Sequence, residues 1–213
     1  MTTARPRLRG LSHELAFFAS LPLAAALALE TRTASGRIAA IAYAVAVAFM
    51  FGASGLYHRI TWSKRWRIRM RKIDHAGIYG LIAGSYTPIG LLVLHGSWRL
   101  VILSVVWGGA AAAILLKVCW VDAPKWLAAA IGIGLGWVGV LVLPQVATRV
   151  GLTACLLIVG GGLLYTAGGL VYAFRRPDPA PTVFGYHELF HALVIGAVAL
   201  QYGSIAFFVL PGH

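Results

Sequence analysis

Three histidines, one aspartate and one serine stand out in a chain otherwise rich in lipid-soluble side chains. They occur as Ser54-Gly-Leu-Tyr-His58, as Asp74, and as His187-Glu-Leu-Phe-His191. Residues four apart share a helix face, so His187 and His191 offer two imidazoles side by side, and Ser54 shares the face of His58. Neutral imidazoles suit a transition-metal ion, with zinc the first expectation. Three histidine ligands leave a fourth position open for water, whose pKa such an ion lowers to about 7. Asp74 could take a proton from that water or orient it. Ser54 could hydrogen-bond the water, a substrate carbonyl or the His58 ring. The alternative is a buried hydrogen-bond network without a metal.

The run His187-Glu188-Leu189-Phe190-His191 also fits H-E-x-x-H, in which a glutamate serves as general base beside zinc. An intramembrane metalloprotease is therefore a rival reading. Glu188 is one residue from His187 and points about 100° around the helix from it. Other polar residues carry lesser expectations. His75 follows Asp74, faces elsewhere and is expected to make a loop contact. His13 and Glu14 could support the histidines, while His95 and His213 are expected to be solvated at the far side.

The elements that position these groups follow from composition. The chain has 213 residues, 60% hydrophobic and 11% charged, with a mean hydropathy of +0.82. Soluble domains carry roughly twice that charged fraction. Seven apolar runs are long enough to cross roughly 30 Å of hydrocarbon as helices. They lie near residues 11–29, 38–58, 74–94, 99–117, 126–143, 151–173 and 187–210. The expected fold is all-α: one seven-transmembrane helix bundle spanning 1–213, with no second sizeable domain. Gly132, Gly134, Gly136, Gly160 to Gly162, Gly168 and Gly169 read as small faces for close helix packing. Pro88 and Pro144 are expected to kink or end helices. Cys119 and Cys155 fall near opposite membrane faces, roughly 20 Å or more apart, and cannot bridge.

Net charge is +12, yet the basic residues cluster in short loops between apolar runs. That pattern sets topology and meets anionic headgroups, so membrane lipids are the expected partners and nucleic acid is not. One set of ends holds Arg5, Arg7, Arg9, Arg59, Lys64, Arg65, Arg67, Arg69, Arg71, Lys72, Lys117, Lys125, Arg175 and Arg176. The other holds Arg32, Arg37, Arg99 and Arg149. The bias puts the N-terminus in the cytoplasm, the C-terminus outside, and all five chemical residues in the cytoplasmic leaflet of the plasma membrane.

Ser54-x-x-x-His58, Ile73-Asp74-His75-Ala-Gly-Ile with Ala83-Gly-Ser-Tyr-Thr-Pro88, and Phe184-Gly-Tyr-His187-Glu-Leu-Phe-His191 together resemble the hemolysin III family. Arg7-Leu-Arg-Gly and His13 are similar to that family's opening. The family is the bacterial branch of the progestin and adipoQ receptor superfamily. The resemblance implies seven membrane helices and a zinc held by His58, His187 and His191, with Asp74 near the bound water and Ser54 beside it. Alkaline ceramidases in the wider superfamily point to hydrolysis of a lipid amide or ester near the cytoplasmic leaflet. A receptor-like sensor with structural zinc is the second implication. The family name suggests a cytolysin, for which the chain offers no amphipathic pore strand.

Overall fold

The computed structural model describes residues 6–213, so Arg5 of the basic set lies outside the described residues. All its regular elements are helical: α1 (Leu11–Glu30), α2 (Ala34–Arg59), α3 (Lys64–Pro88), α4 (Ser97–Cys119), α5 (Lys125–Trp137), α6 (Leu143–Arg149), α7 (Leu152–Phe174) and α8 (Tyr186–Ser204). A 3₁₀ stretch, Val138–Val142, joins α5 to α6, and π-helical turns Ile89–Val93 and Ile205–Val209 end α3 and α8. Among the described residues, seven helical units are long and apolar enough to cross a membrane.

The third unit differs from the sequence expectation. Hydropathy places its start at residue 74, but α3 begins ten residues earlier at Lys64. Lysine and arginine are good helix formers, so the helix continues past the point where lipid ends. Hydropathy registers only the immersed part. The fifth unit is likewise composite. Pro144 lacks an N–H and its ring crowds the preceding turn, so α5 tightens into 3₁₀ geometry before α6 restarts around the proline.

Close packing runs from α1 to α2 to α3 on one side and between α7 and α8 on the other, with α8 also touching α1. The segment Ala83-Gly-Ser-Tyr-Thr-Pro88 shows how the sequence achieves this. A Cβ on Gly84 would overlap Ala46, so glycine lets α2 and α3 approach. Pro88 removes a backbone donor, and Ser85 and Thr87 donate their hydroxyls to Leu81 O at 2.6 Å and Ala83 O at 3.0 Å. Tyr86 reaches across to α5 and donates to Gly136 O at 2.5 Å, while Tyr79 donates to Ala128 O at 3.2 Å.

The glycines divide into two groups. Gly160, Gly161 and Gly168 sit at the α7–α8 contact, where added methyls would lie 3.2–3.4 Å from α8 atoms. Gly134 and Gly136 instead have nothing within 4 Å, and no residue of α5 is fully buried. The expectation of a close-packing face therefore fails at these two positions: Gly134 is exposed, and Gly136 borders the internal cavity.

Two turns fix the ends. The terminal carbonyl of His213 accepts Arg32 N–H at 3.0 Å and also Thr33 N–H, tying the C-terminus to the α1–α2 turn. His95 is held rather than merely solvated: Arg149 Nη1 lies 2.9 Å from its Nε2. Cys119 is exposed and Cys155 buried, and both are free thiols.

Candidate metal centre

At the end of the bundle carrying the basic loop, α2 finishes and α8 begins. There His58, His187 and His191 converge, all buried, with one potential ligand atom from each within 4.8 Å of the other two. His58 Nε2 and His187 Nε2 are 3.0 Å apart. Tetrahedral zinc with Zn–N near 2.1 Å would need about 3.4 Å between nitrogens, so slight spreading of these rings would admit an ion. His191 Nδ1 is buried with no hydrogen-bond partner. The donor set fits a borderline-soft divalent metal.

Asp74, near the middle of α3, places Oδ2 3.9 Å from His58 Nε2. Ser54, one turn from His58, is buried and lies 2.8 Å from His13 Nδ1. The five residues expected from sequence are thus in one neighbourhood. His13 makes a sixth. Its ring stacks on His191 with centroids 3.7 Å apart and planes within 7°, and it is only 1% exposed. In the tautomer carrying the proton on Nδ1, His13 donates to Ser54 and leaves the serine hydroxyl hydrogen for another acceptor.

Two expectations change. His75, expected at a loop, lines the internal cavity, and its Nδ1 is buried without a hydrogen-bond partner among the described residues. Glu14 does not join the histidines: its Oε2 accepts Arg59 Nε at 2.7 Å near the surface.

Glu188 has an architectural task. Its Oε2 accepts the Gly185 backbone N–H at 2.9 Å at the start of α8, and its Oε1 lies 2.5 Å from Arg9 Nε. Asp178 completes the helix cap by accepting Tyr186 N–H at 2.7 Å. Both carboxylates satisfy donors that an α-helix start leaves unpaired. A glutamate so engaged is poorly available as a base beside a metal.

The N-terminal segment explains its own short motif. Arg7 and Leu8 donate backbone N–H groups to Thr182 O and Val183 O at 3.0 and 3.2 Å, strapping the loop before α8. Arg9 pairs with Glu188. Gly10 then turns with φ +80° against His58, where a Cβ would overlap the histidine Cβ. One short segment thereby fixes the start of α8 and the backbone of a candidate ligand. No local pattern signals these contacts, since the partners lie far along the chain.

The site opens onto a cavity between α3, α5, α7 and α8. Its lining runs from Asp74, His187 and His191 to Ile89 and Ile205 near the opposite end. Sixteen residues of helix, Asp74 to Ile89, span roughly 22 Å. Ile78, Ile82, Ile133 and Ile158 make its walls largely apolar.

Comparison with known proteins adds a lineage to this geometry. The family model described as "Haemolysin-III related" matches residues 1–202. The chain is 26% identical over 204 residues to "Hemolysin-3" of Bacillus cereus, covering 94% of this chain and 90% of that protein. It is 30% identical over 167 residues to the "Hemolysin-3 homolog" of Bacillus subtilis (strain 168), covering 78% and 75%. With seven apolar helices and a model match over nearly its whole length, the chain is a multi-pass membrane protein of the haemolysin-III-related family.

Proposed function

We propose that this protein is a zinc-dependent hydrolase of a lipid amide or ester, with His58, His187 and His191 as metal ligands and Asp74 and Ser54 as reacting partners. The observation that carries the reading is the juxtaposition of three buried histidines, a carboxylate and a hydroxyl at the head of a long apolar cavity. A purely structural zinc favours four protein ligands, whereas this cluster offers three.

Bound there, zinc would supply Lewis acidity and lower the pKa of a coordinated water to about 7. The remaining work falls to the chain. Asp74 accepts a proton as water adds to the substrate carbonyl carbon. Ser54, positioned by His13, donates to the developing oxyanion. The carbon–nitrogen or carbon–oxygen bond then breaks, and Asp74 returns the proton to the leaving amine or alcohol. The products are a fatty acid and an amine or alcohol. The cavity holds the acyl chain, so water reaches the carbonyl only at its polar head.

The basic-residue bias supports an orientation with the N-terminus and this site on the cytoplasmic side. There the cluster meets the polar–apolar junction of the inner leaflet, where a lipid's ester or amide bond lies. The intramembrane protease reading loses support from the engagement of Glu188 with Gly185 and Arg9. A sensor with structural zinc uses the same three ligands but has no need of Asp74.

Lipid analysis of membranes containing wild type, His191→Ala or Asp74→Asn tests the proposal. Wild type alone should release free fatty acid and deplete one lipid class. Asp74→Asn should abolish release while retaining zinc. Identical lipid profiles in all three, with wild type folded and zinc-loaded, would overturn the hydrolase and leave the sensor.

A further inference from the structure

A second group of polar residues lines the same cavity beside the histidine cluster. Lys117, at the end of α4, is 2% exposed. A lysine at a membrane helix end ordinarily extends its ammonium to water. This one turns inward, lines the cavity, and among the described residues donates only to Ala123 O, at 3.3 Å. Next to it, His75 Nδ1 is buried and unpartnered, and the charges of Lys117, Arg71 and Lys125 all act on its ring. Lys125 donates to Tyr186 OH at 2.8 Å and sits 4.6 Å above the Tyr172 ring. Beside Lys117 and Arg71 stands one carboxylate, Asp122, which is largely exposed and bound to Arg71 at 2.7 Å. Asp74, the other nearby acid, turns toward His58.

A covered ammonium and an orphaned imidazole are costly in a membrane protein unless something supplies the missing acceptors. We propose that the Lys117–Lys125–His75 mouth binds a phosphate group carried by an anionic lipid, and that the hydrolysed lipid is therefore a phosphate-bearing one. The second half rests on the hydrolase reading; the first does not. Phosphate matches the site, since its several oxygens accept from ammonium and imidazole donors at once. The spacing also suits it. Tyr172 touches both groups, 4.6 Å from Lys125 Nζ and 6.0 Å from the His187 ring. The cationic mouth and the histidine cluster are therefore neighbours across one tyrosine, close enough for a single lipid to reach both. A lipid held by its phosphate at this mouth would present a carbonyl to the histidines and run its acyl chain down the cavity.

The test measures binding without turnover. Asp74→Asn protein in detergent is titrated with monomeric dihexanoyl phosphatidylglycerol, dihexanoyl phosphatidylcholine and inorganic phosphate, followed by tryptophan fluorescence. The glycerol lipid should bind about tenfold more tightly than the choline lipid, and phosphate should compete only weakly. Lys117→Met keeps the apolar stem and removes the charge, and it should bring the two lipids to parity. Lys64→Met, an exposed cation outside the mouth, should leave the preference intact, which excludes general surface charge. Lys125→Met serves as the second variant if Lys117→Met fails to fold. Equal affinity for both lipids, or a preference that survives both substitutions, would overturn the proposal. Phosphate binding as tightly as the anionic lipid would overturn its lipid component. Selective binding without any hydrolysis by wild type would retain the headgroup site and refute the hydrolase.

Discussion

The closest link between backbone and candidate metal lies at Gly10, and Gly10→Ala tests it. The residue has φ +80°, a left-handed conformation costing an L side chain about 1–2 kcal/mol. The larger effect is steric. The new methyl would overlap His58 Cβ and lie 3.4 Å from the His58 Cα and carbonyl carbon. Two carbons rest comfortably at about 3.5–4.0 Å, so His58 and the end of α2 must retreat by about 1 Å. Metal–ligand distances tolerate only about ±0.2 Å. The shift therefore removes one of three ligands without touching any ligand's chemistry. Elemental analysis of protein purified in detergent should give about one zinc per wild-type chain and less than about half that for Gly10→Ala. Circular dichroism should show the helices retained. Gly134→Ala, which adds a methyl where nothing lies within 4 Å, is the control and should keep its zinc. A folded Gly10→Ala protein with wild-type zinc content would refute the reasoning.

Three further outcomes are expected. His191→Ala should lose zinc outright by the same elemental analysis, and equal metal in variant and wild type would sink the ligand assignment. Glu188→Gln leaves Arg9 without its buried counter-charge, which costs about 3 kcal/mol, so Tm in detergent should fall while zinc and hydrolysis persist. Loss of activity at unchanged Tm would restore the glutamate to a catalytic role. A reporter active only in the cytoplasm, fused after His213, should be silent, and activity there would invert the orientation.

The helical units and the histidine cluster were legible because both depend on local periodicity. Twenty apolar residues announce a span, and two histidines four apart announce a shared face. What escaped was decided by residues far apart in sequence. Nothing near Arg9 signals that Glu188 will meet it, and nothing near His75 signals that Lys117 will lie in the same cavity. The glycines of α5 resemble those of α7, yet one set meets α8 while the other borders open space. The start of α3 was missed for a different reason: hydropathy follows the lipid boundary, whereas helix propensity ignores it.

The way α5 is held has an evolutionary consequence. Tyr79 and Tyr86 grasp it through backbone carbonyls, the one feature every residue of a helix shares. Substitutions along α5 can therefore accumulate without loosening these two anchors. Under the hydrolase proposal, changes there would reshape that wall of the cavity and the tail it accepts, while the polar head of the site stays fixed. On that proposal, divergence in acyl preference should trace to α5 before it reaches α2 or α8.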